Sequence, residues 1–106
     1  MNERFSEILS RFRQLEEQMA STEVLSDPKR LRDFAKERKK LEPVVSLIGR
    51  LQDIQQRELQ AREVLAADQD PGLVALASEE LETLRRERTE TEARLQELLR
   101  PRDVHE

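Results

Sequence analysis

Residues 26–54 read SDPKRLRDFAKERKKLEPVVSLIGRLQDI, and this stretch decides the fold. It opens on a helix start signal, because Asp27 can cap a helix and Pro28 suits the first helical position, where its missing N–H costs nothing. The apolar residues that follow recur at helical spacing: Leu31, Phe34, Ala35, Leu41, Val44, Val45, Ile48, Leu51, Ile54 and, more weakly, Leu59 and Leu65. This pattern predicts one helix over 28–67, about 60 Å long.

Pro43 lies inside this predicted helix. A proline there removes one backbone hydrogen bond and clashes with the preceding turn. Because the apolar periodicity continues on both sides of Pro43, we expect one kinked helix and not two separate helices.

A shorter helix is predicted before it, over about 3–20, with Asn2 as its N-cap. One face of this helix is apolar and is formed by Phe5, Ile8, Leu9, Phe12, Leu15 and Met19. Their alternating three- and four-residue spacing is that of a heptad seam.

A third helix is predicted over about 71–99, where Asp70 and Pro71 repeat the cap-plus-proline signal. Its apolar residues are Leu73, Leu76, Ala77, Leu81, Leu84, Leu95, Leu98 and Leu99. Arg88 and Thr91 occupy the expected seam positions between Leu84 and Leu95. We therefore expect weaker packing, or exposure, in the middle of this helix.

The composition agrees with an all-α fold. Of the 106 residues, 40% are charged and only 3% are aromatic, which disfavours a sheet built on aromatic and β-branched side chains. Short turns make neighbouring helices antiparallel. We therefore expect a single helical domain over 1–106, built as elongated antiparallel helical hairpins, or a three-helix bundle with one long central helix.

The sequence offers no recognisable catalytic or cofactor chemistry. There is no cysteine, the single histidine is His105 near the end of the chain, and Gly49 and Gly72 are isolated. These features argue against thiol chemistry, a zinc site and a phosphate-binding loop. We expect a protein that is not an enzyme and has no cofactor and no metal. No apolar run is long enough to span a membrane, so we expect a cytoplasmic protein without membrane contact.

One segment has a charge opposite to that of the chain. The net charge is −4, yet residues 26–45 carry seven basic and four acidic residues, which is a net +3. The candidate partner-contact residues on one helix flank are Arg32, Lys36, Lys39 and Lys40. They form either a solvated helix face or a contact with RNA phosphates or an acidic protein. Without interleaved aromatics, any RNA contact would not be sequence-specific.

The order of these motifs resembles the N-terminal domain of bacterial class I peptide-chain release factors. The resemblance is carried by LSDPKRL at 25–31 and KERKKLEPVV at 36–45. Four later segments fit the same domain in the same order: 61–65, 70–71, 77–81 and 98–103. The last of these is more similar to the factors that read UAA and UAG than to those that read UAA and UGA.

The resemblance implies a role in translation termination on the ribosome. Whole factors of this family release the peptide with a Gly-Gly-Gln motif and read the stop codon with a Pro-x-Thr or Ser-Pro-Phe motif, and none of these occurs here. It therefore implies a first domain without the codon-reading and catalytic domains. Its implied partners are the ribosome, at the factor-binding region of the large subunit, and the GTPase release factor.

Two alternatives remain open from the residues alone. A free-standing coiled-coil adaptor would self-associate through a continuous seam, which Arg88 and Thr91 interrupt. An RNA-binding helical arm would carry basic residues along both helices of its hairpin, whereas the second hairpin here is acidic.

Overall fold

The structure is a computed structural model that describes residues 2–67 and 70–101. These residues form helices joined by short turns and contain no strand, which confirms the all-α prediction. Four helices follow one another along the chain: α1 (Glu3–Met19), α2 (Thr22–Leu25), α3 (Pro28–Ala67) and α4 (Pro71–Leu99).

The predicted capping residues begin the three long helices. The side chain of Asn2 accepts a hydrogen bond from the Arg4 N–H at 2.8 Å. Asp27 accepts from the Arg30 N–H at 3.3 Å, and Asp70 accepts from the Gly72 N–H at 2.9 Å. Each carboxylate or amide oxygen thus satisfies one of the N–H groups that a helix leaves unpaired in its first turn.

The sequence pattern missed the short helix α2. Ser21 caps it, since its hydroxyl oxygen accepts from the Val24 N–H at 3.3 Å, and the side chain of Val24 is fully buried. A helix of four residues is too short to show apolar periodicity, so the only available signal was the capping serine.

Helix α3 continues through Pro43 without a break, as the periodicity predicted. Pro43 is exposed, so its ring does not occupy the buried face of the helix. The kink expected at Pro43 stays a prediction.

The chain divides into two compact units, residues 1–48 and 49–106. The first unit holds α1, α2 and the first half of α3. Its buried apolar residues are Leu15, Val24, Val44 and Ile48. They come from all three helices, so this core joins α1 and α2 to the start of α3. The expectation of a single domain over 1–106, and of its elongated form, stays a prediction.

The second unit holds the rest of α3 and all of α4. Its buried apolar residues are Leu51, Ile54, Ala61, Ala77, Leu81, Leu84 and Leu95. This is a helical hairpin whose buried residues keep the predicted three- and four-residue spacing. Leu73, Leu76 and Leu98, which the sequence pattern also assigned to the apolar set of α4, are exposed.

One position of the predicted seam of α3 is wrong. Leu59 was expected on the apolar face, but it is 49% exposed, and Glu58 is buried beside it with 2% exposure. The spacing explains the difference, because Ile54, Glu58 and Ala61 are separated by four and three residues and so share one face. A pattern based on apolar residues alone therefore selects Leu59, although the regular spacing from Ile54 to Ala61 passes through Glu58.

Candidate functional site

The four predicted contact residues lie together on the exposed side of α3. Arg32, Lys36, Lys39 and Lys40 are all exposed, and among the described residues none of them forms an ion pair. Lys29, which the sequence-based prediction did not include in this group, is also exposed and lies three residues before Arg32.

These five cations, Lys29, Arg32, Lys36, Lys39 and Lys40, form what we call the basic face. At 3.6 residues per turn they cover about a third of the helix circumference. Phe34 and Leu41 lie on the other side of α3 and are half-buried. The ammonium and guanidinium groups thus face away from the core and are accessible to a partner. Lys29 could have been found from its i, i+3 spacing to Arg32.

Residues 26–45 contain four acidic residues, and two of them pair with arginines that are not part of the basic face. Glu37 receives two hydrogen bonds from the guanidinium of Arg11 on α1, at 2.6 and 2.7 Å. Glu42 lies 3.9 Å from Arg38. Because these carboxylates are matched with arginines outside the basic face, they do not neutralise it.

The Arg11–Glu37 pair raises the pKa of Arg11 and lowers the pKa of Glu37. The hydrogen bonds from Arg11 hold the pKa of the Glu37 carboxyl below its ordinary value, against a smaller opposing effect of burial. Since the folded-state pKa is the lower one, the contribution of this pair to stability is present above the ordinary carboxyl pKa and is lost as the pH falls through the lowered value.

Arg38 belongs to the same basic segment but has a structural role. Its guanidinium lies 4.8 Å from the centroid of the Phe12 ring and 3.1 Å from the Glu16 carboxylate. A cation over an aromatic face and a facing carboxylate both hold α1 against α3. The basic segment therefore divides into residues that join helices and residues that face solvent.

The middle of the α3–α4 hairpin contains polar residues in its seam. The sequence predicted Arg88 and Thr91 there, but not the buried Glu58. The Arg88 guanidinium donates to Glu58, with Nε 3.0 Å from one carboxylate oxygen and 3.2 Å from the other. Thr91 is 5% exposed, and its hydroxyl donates to the Glu87 carbonyl at 2.7 Å. The expected alternative of an exposed mid-helix is therefore wrong, because each polar seam residue has a partner.

Two negative findings concern the parts of the chain that the structure describes. Within them, no group of three or more histidine, cysteine, aspartate or glutamate residues is arranged to hold a metal ion. The single histidine, His105, lies outside the described residues. Over the same described ranges, no helix combines the length and the apolar character needed to span a bilayer.

The described residues form an all-α chain of two compact units, and one side of α3 presents a cationic face. The family model of the PCRF domain matches residues 8–106 of the chain. The chain therefore belongs to the PCRF domain family, which confirms the resemblance to release factors at the level of the family.

Similar proteins carry release-factor names. The chain is 40% identical over 96 residues to peptide chain release factor 1 of Sorangium cellulosum, covering 91% of this chain and 26% of that protein. It is 32% identical over 106 residues to peptide chain release factor 1 of Listeria welshimeri, covering all of this chain and 30% of that protein. The chain thus spans less than a third of the length of these relatives. No solved structure gives a significant match.

Proposed function

We propose that this chain acts in translation termination, as the N-terminal helical domain of a class I peptide-chain release factor working on the ribosome in the cytoplasm. The observation that carries the proposal is the PCRF match over residues 8–106, which takes in nearly the whole chain. The relatives named peptide chain release factor 1 support it.

Within that function the domain is a docking module and supplies neither catalysis nor codon reading. The basic face provides the electrostatic part of docking at the factor-binding region of the large ribosomal subunit, by contact with RNA phosphates. Five exposed cations without ion pairs in the described residues support this role. No aromatic side chain lies among them for base stacking, so the contact is independent of RNA sequence. The GTPase release factor is the second partner that we propose.

The finer assignment is to the factors that read UAA and UAG. The relatives' names and the close of the domain at 98–103 support it. Reading the gene beyond codon 106 tests it, since a Pro-x-Thr motif is expected downstream and a Ser-Pro-Phe motif would contradict the assignment.

A free-standing coiled-coil adaptor is not favoured. Glu58 and Arg88 occupy facing positions of the hairpin seam and satisfy each other within one chain. That arrangement leaves no continuous apolar seam for a second chain.

A chimera tests the proposed function. This chain replaces the matching segment of the Sorangium cellulosum factor, and ribosome affinity and stop-codon-dependent peptide release are measured. We expect the chimera to retain both. Replacing Arg32, Lys36, Lys39 and Lys40 by Gln weakens ribosome binding and flattens the slope of log K against log salt by about 0.7–0.9 for each phosphate that is no longer neutralised.

The matched control replaces four other exposed arginines by Gln: Arg13, Arg50, Arg85 and Arg94. The charge change is the same, so a general electrostatic effect would alter both variants equally. We expect only the basic-face variant to show a flattened salt dependence, with both melting temperatures nearly unchanged because exposed charges contribute little to stability. Equal slopes in the two variants would contradict the docking role of the basic face.

A further inference from the structure

A groove runs between α3 and α4 in the second unit, close to the connection between these helices. Two short side chains, Ala61 and Ala77, lie at its base and are buried. Val64 from α3 and Leu73 and Leu76 from α4 form its apolar walls. Because alanine fills little space, a depression remains above these two buried side chains. We call these five residues the alanine groove.

The volume of the groove indicates what kind of ligand it can bind. Its volume is about 220 Å³. Pockets for small-molecule ligands and cofactors are larger, about 300–1,000 Å³. The alanine groove is therefore suited to one large apolar side chain presented by a protein.

The two wall leucines are unusually exposed for their size. Leu73 is 47% exposed and Leu76 is 63% exposed, and they lie three residues apart on the same flank of α4. A single exposed leucine is ordinary, whereas adjacent ones bordering a groove are typical of a protein contact.

The charge around the groove selects the partner further. Residues 57–82, the stretch that contains all of the groove's lining residues, carry seven acidic and two basic residues, which is a net −5. Arg57 lies on the groove lining, but its guanidinium is paired with Asp53 at 3.3 Å. Glu80 also lines the groove and, in the described residues, has no ion pair. An exposed Glu80 on the lining, within a segment of net negative charge, disfavours RNA and anionic lipid surfaces and favours a cationic protein.

We propose that the alanine groove docks a cationic amphipathic helix of a partner protein. A leucine-sized anchor of that helix enters between Leu73, Leu76 and Val64, and its lysines or arginines face Glu80. This is helix-in-groove recognition, in which apolar anchors at three- and four-residue spacing provide affinity and flanking charges provide orientation. The inference goes beyond the proposed function and stands on residues other than the basic face.

Two helical peptides of identical apolar pattern test the inference. Both carry leucines at three- and four-residue spacing, with lysine at the charged positions of one and glutamate at those of the other. Binding to the 106-residue chain is followed by NMR chemical-shift titration. We expect the lysine peptide to bind, with the largest amide shifts at residues of the alanine groove, and the glutamate peptide to bind at least about tenfold more weakly.

Variants of the chain complete the test. Leu73→Ser combined with Leu76→Ser is expected to weaken binding of the lysine peptide about tenfold, as expected for removing buried apolar area. Glu80→Lys is expected to weaken it and to reduce its salt dependence. The matched control is Leu59→Ser, because Leu59 is equally exposed but does not line the groove. Circular dichroism verifies that every variant keeps its helix content.

Several results would overturn the proposal: no binding of the lysine peptide, equal binding of both peptides, or a loss in Leu59→Ser as large as in the double variant. Self-association of the peptide-free chain that the double leucine variant abolishes would assign the groove to a second copy of this chain and would also overturn it.

Discussion

Glu58 is a carboxylate with only 2% of its surface exposed, in the seam of a two-helix hairpin. Its side chain is almost fully buried, whereas that of Arg88 is 34% exposed. Burying a charge is costly unless a partner is present, so the two members of the pair are not equivalent. Removing Arg88 leaves a buried carboxylate whose one remaining ion-pair partner in the described residues is Arg62, at 3.9 Å. Removing Glu58 leaves an arginine that already reaches water.

We therefore predict an asymmetry between two single substitutions. Arg88→Leu lowers the free energy of unfolding by about 2–3 kcal/mol, below the full cost of breaking a buried pair because Arg88 is partly solvated. Glu58→Leu changes it by less than about 1 kcal/mol, because the new leucine extends the apolar seam. Urea denaturation of both variants measures the difference.

The double variant, Glu58→Leu with Arg88→Leu, is the control for this asymmetry. It is expected to be as stable as the parent chain or more stable, since an apolar pair avoids the desolvation cost. Equal losses in the two single variants would show that the pair is not controlled by the burial of Glu58.

At the scale of elements, α3 is notable because it contains a proline, Pro43, in its interior. Proline has no N–H, so it cannot donate to the carbonyl of Lys39, four residues earlier. The helix nevertheless continues beyond Pro43 to Ala67. Tertiary packing of the turns that follow, at Val44 and Ile48, compensates for the missing bond.

We predict that Pro43→Ala raises the free energy of unfolding by about 1–3 kcal/mol, because alanine restores the backbone hydrogen bond and Pro43 is exposed, so no cavity is created. Chemical denaturation measures the change. Pro101→Ala is the matched control, as Pro101 follows the end of α4 and should leave stability unaltered. A loss of stability in Pro43→Ala would contradict this prediction and would mean that the packing of α3 depends on the helix direction that Pro43 imposes.

At the scale of the whole molecule, the chain lacks the sequence motifs that release factors use for their chemistry. Neither Gly-Gly-Gln nor a Pro-x-Thr or Ser-Pro-Phe motif occurs in its 106 residues. We predict that the 106-residue chain, added to ribosomes stalled at a stop codon, releases no more peptide than a reaction without factor. A complete release factor provides the positive control, and stop-codon-dependent release by the chain alone would refute the prediction.

Much of the fold could be predicted from the sequence, because it depends on local signals. Asn2, Asp27 and Asp70 begin helices since each has an oxygen within reach of an unpaired backbone N–H. The long helices follow from apolar residues that recur every three or four positions. The family resemblance likewise depends on ordered motifs within continuous segments such as 36–45.

The pairing of side chains was decided by the tertiary structure alone. Helix spacing in the sequence separates Arg38 from the flank of Arg32, but only the structure shows that Arg38 meets Phe12 and Glu16. The apolar pattern places Leu59 in the seam, whereas burial of Glu58 depends on Arg88, which lies thirty residues away. The alanine groove likewise exists only because Ala61 and Ala77 meet across the hairpin. Each of these features needs two segments distant in the chain, and a one-dimensional pattern does not contain that proximity.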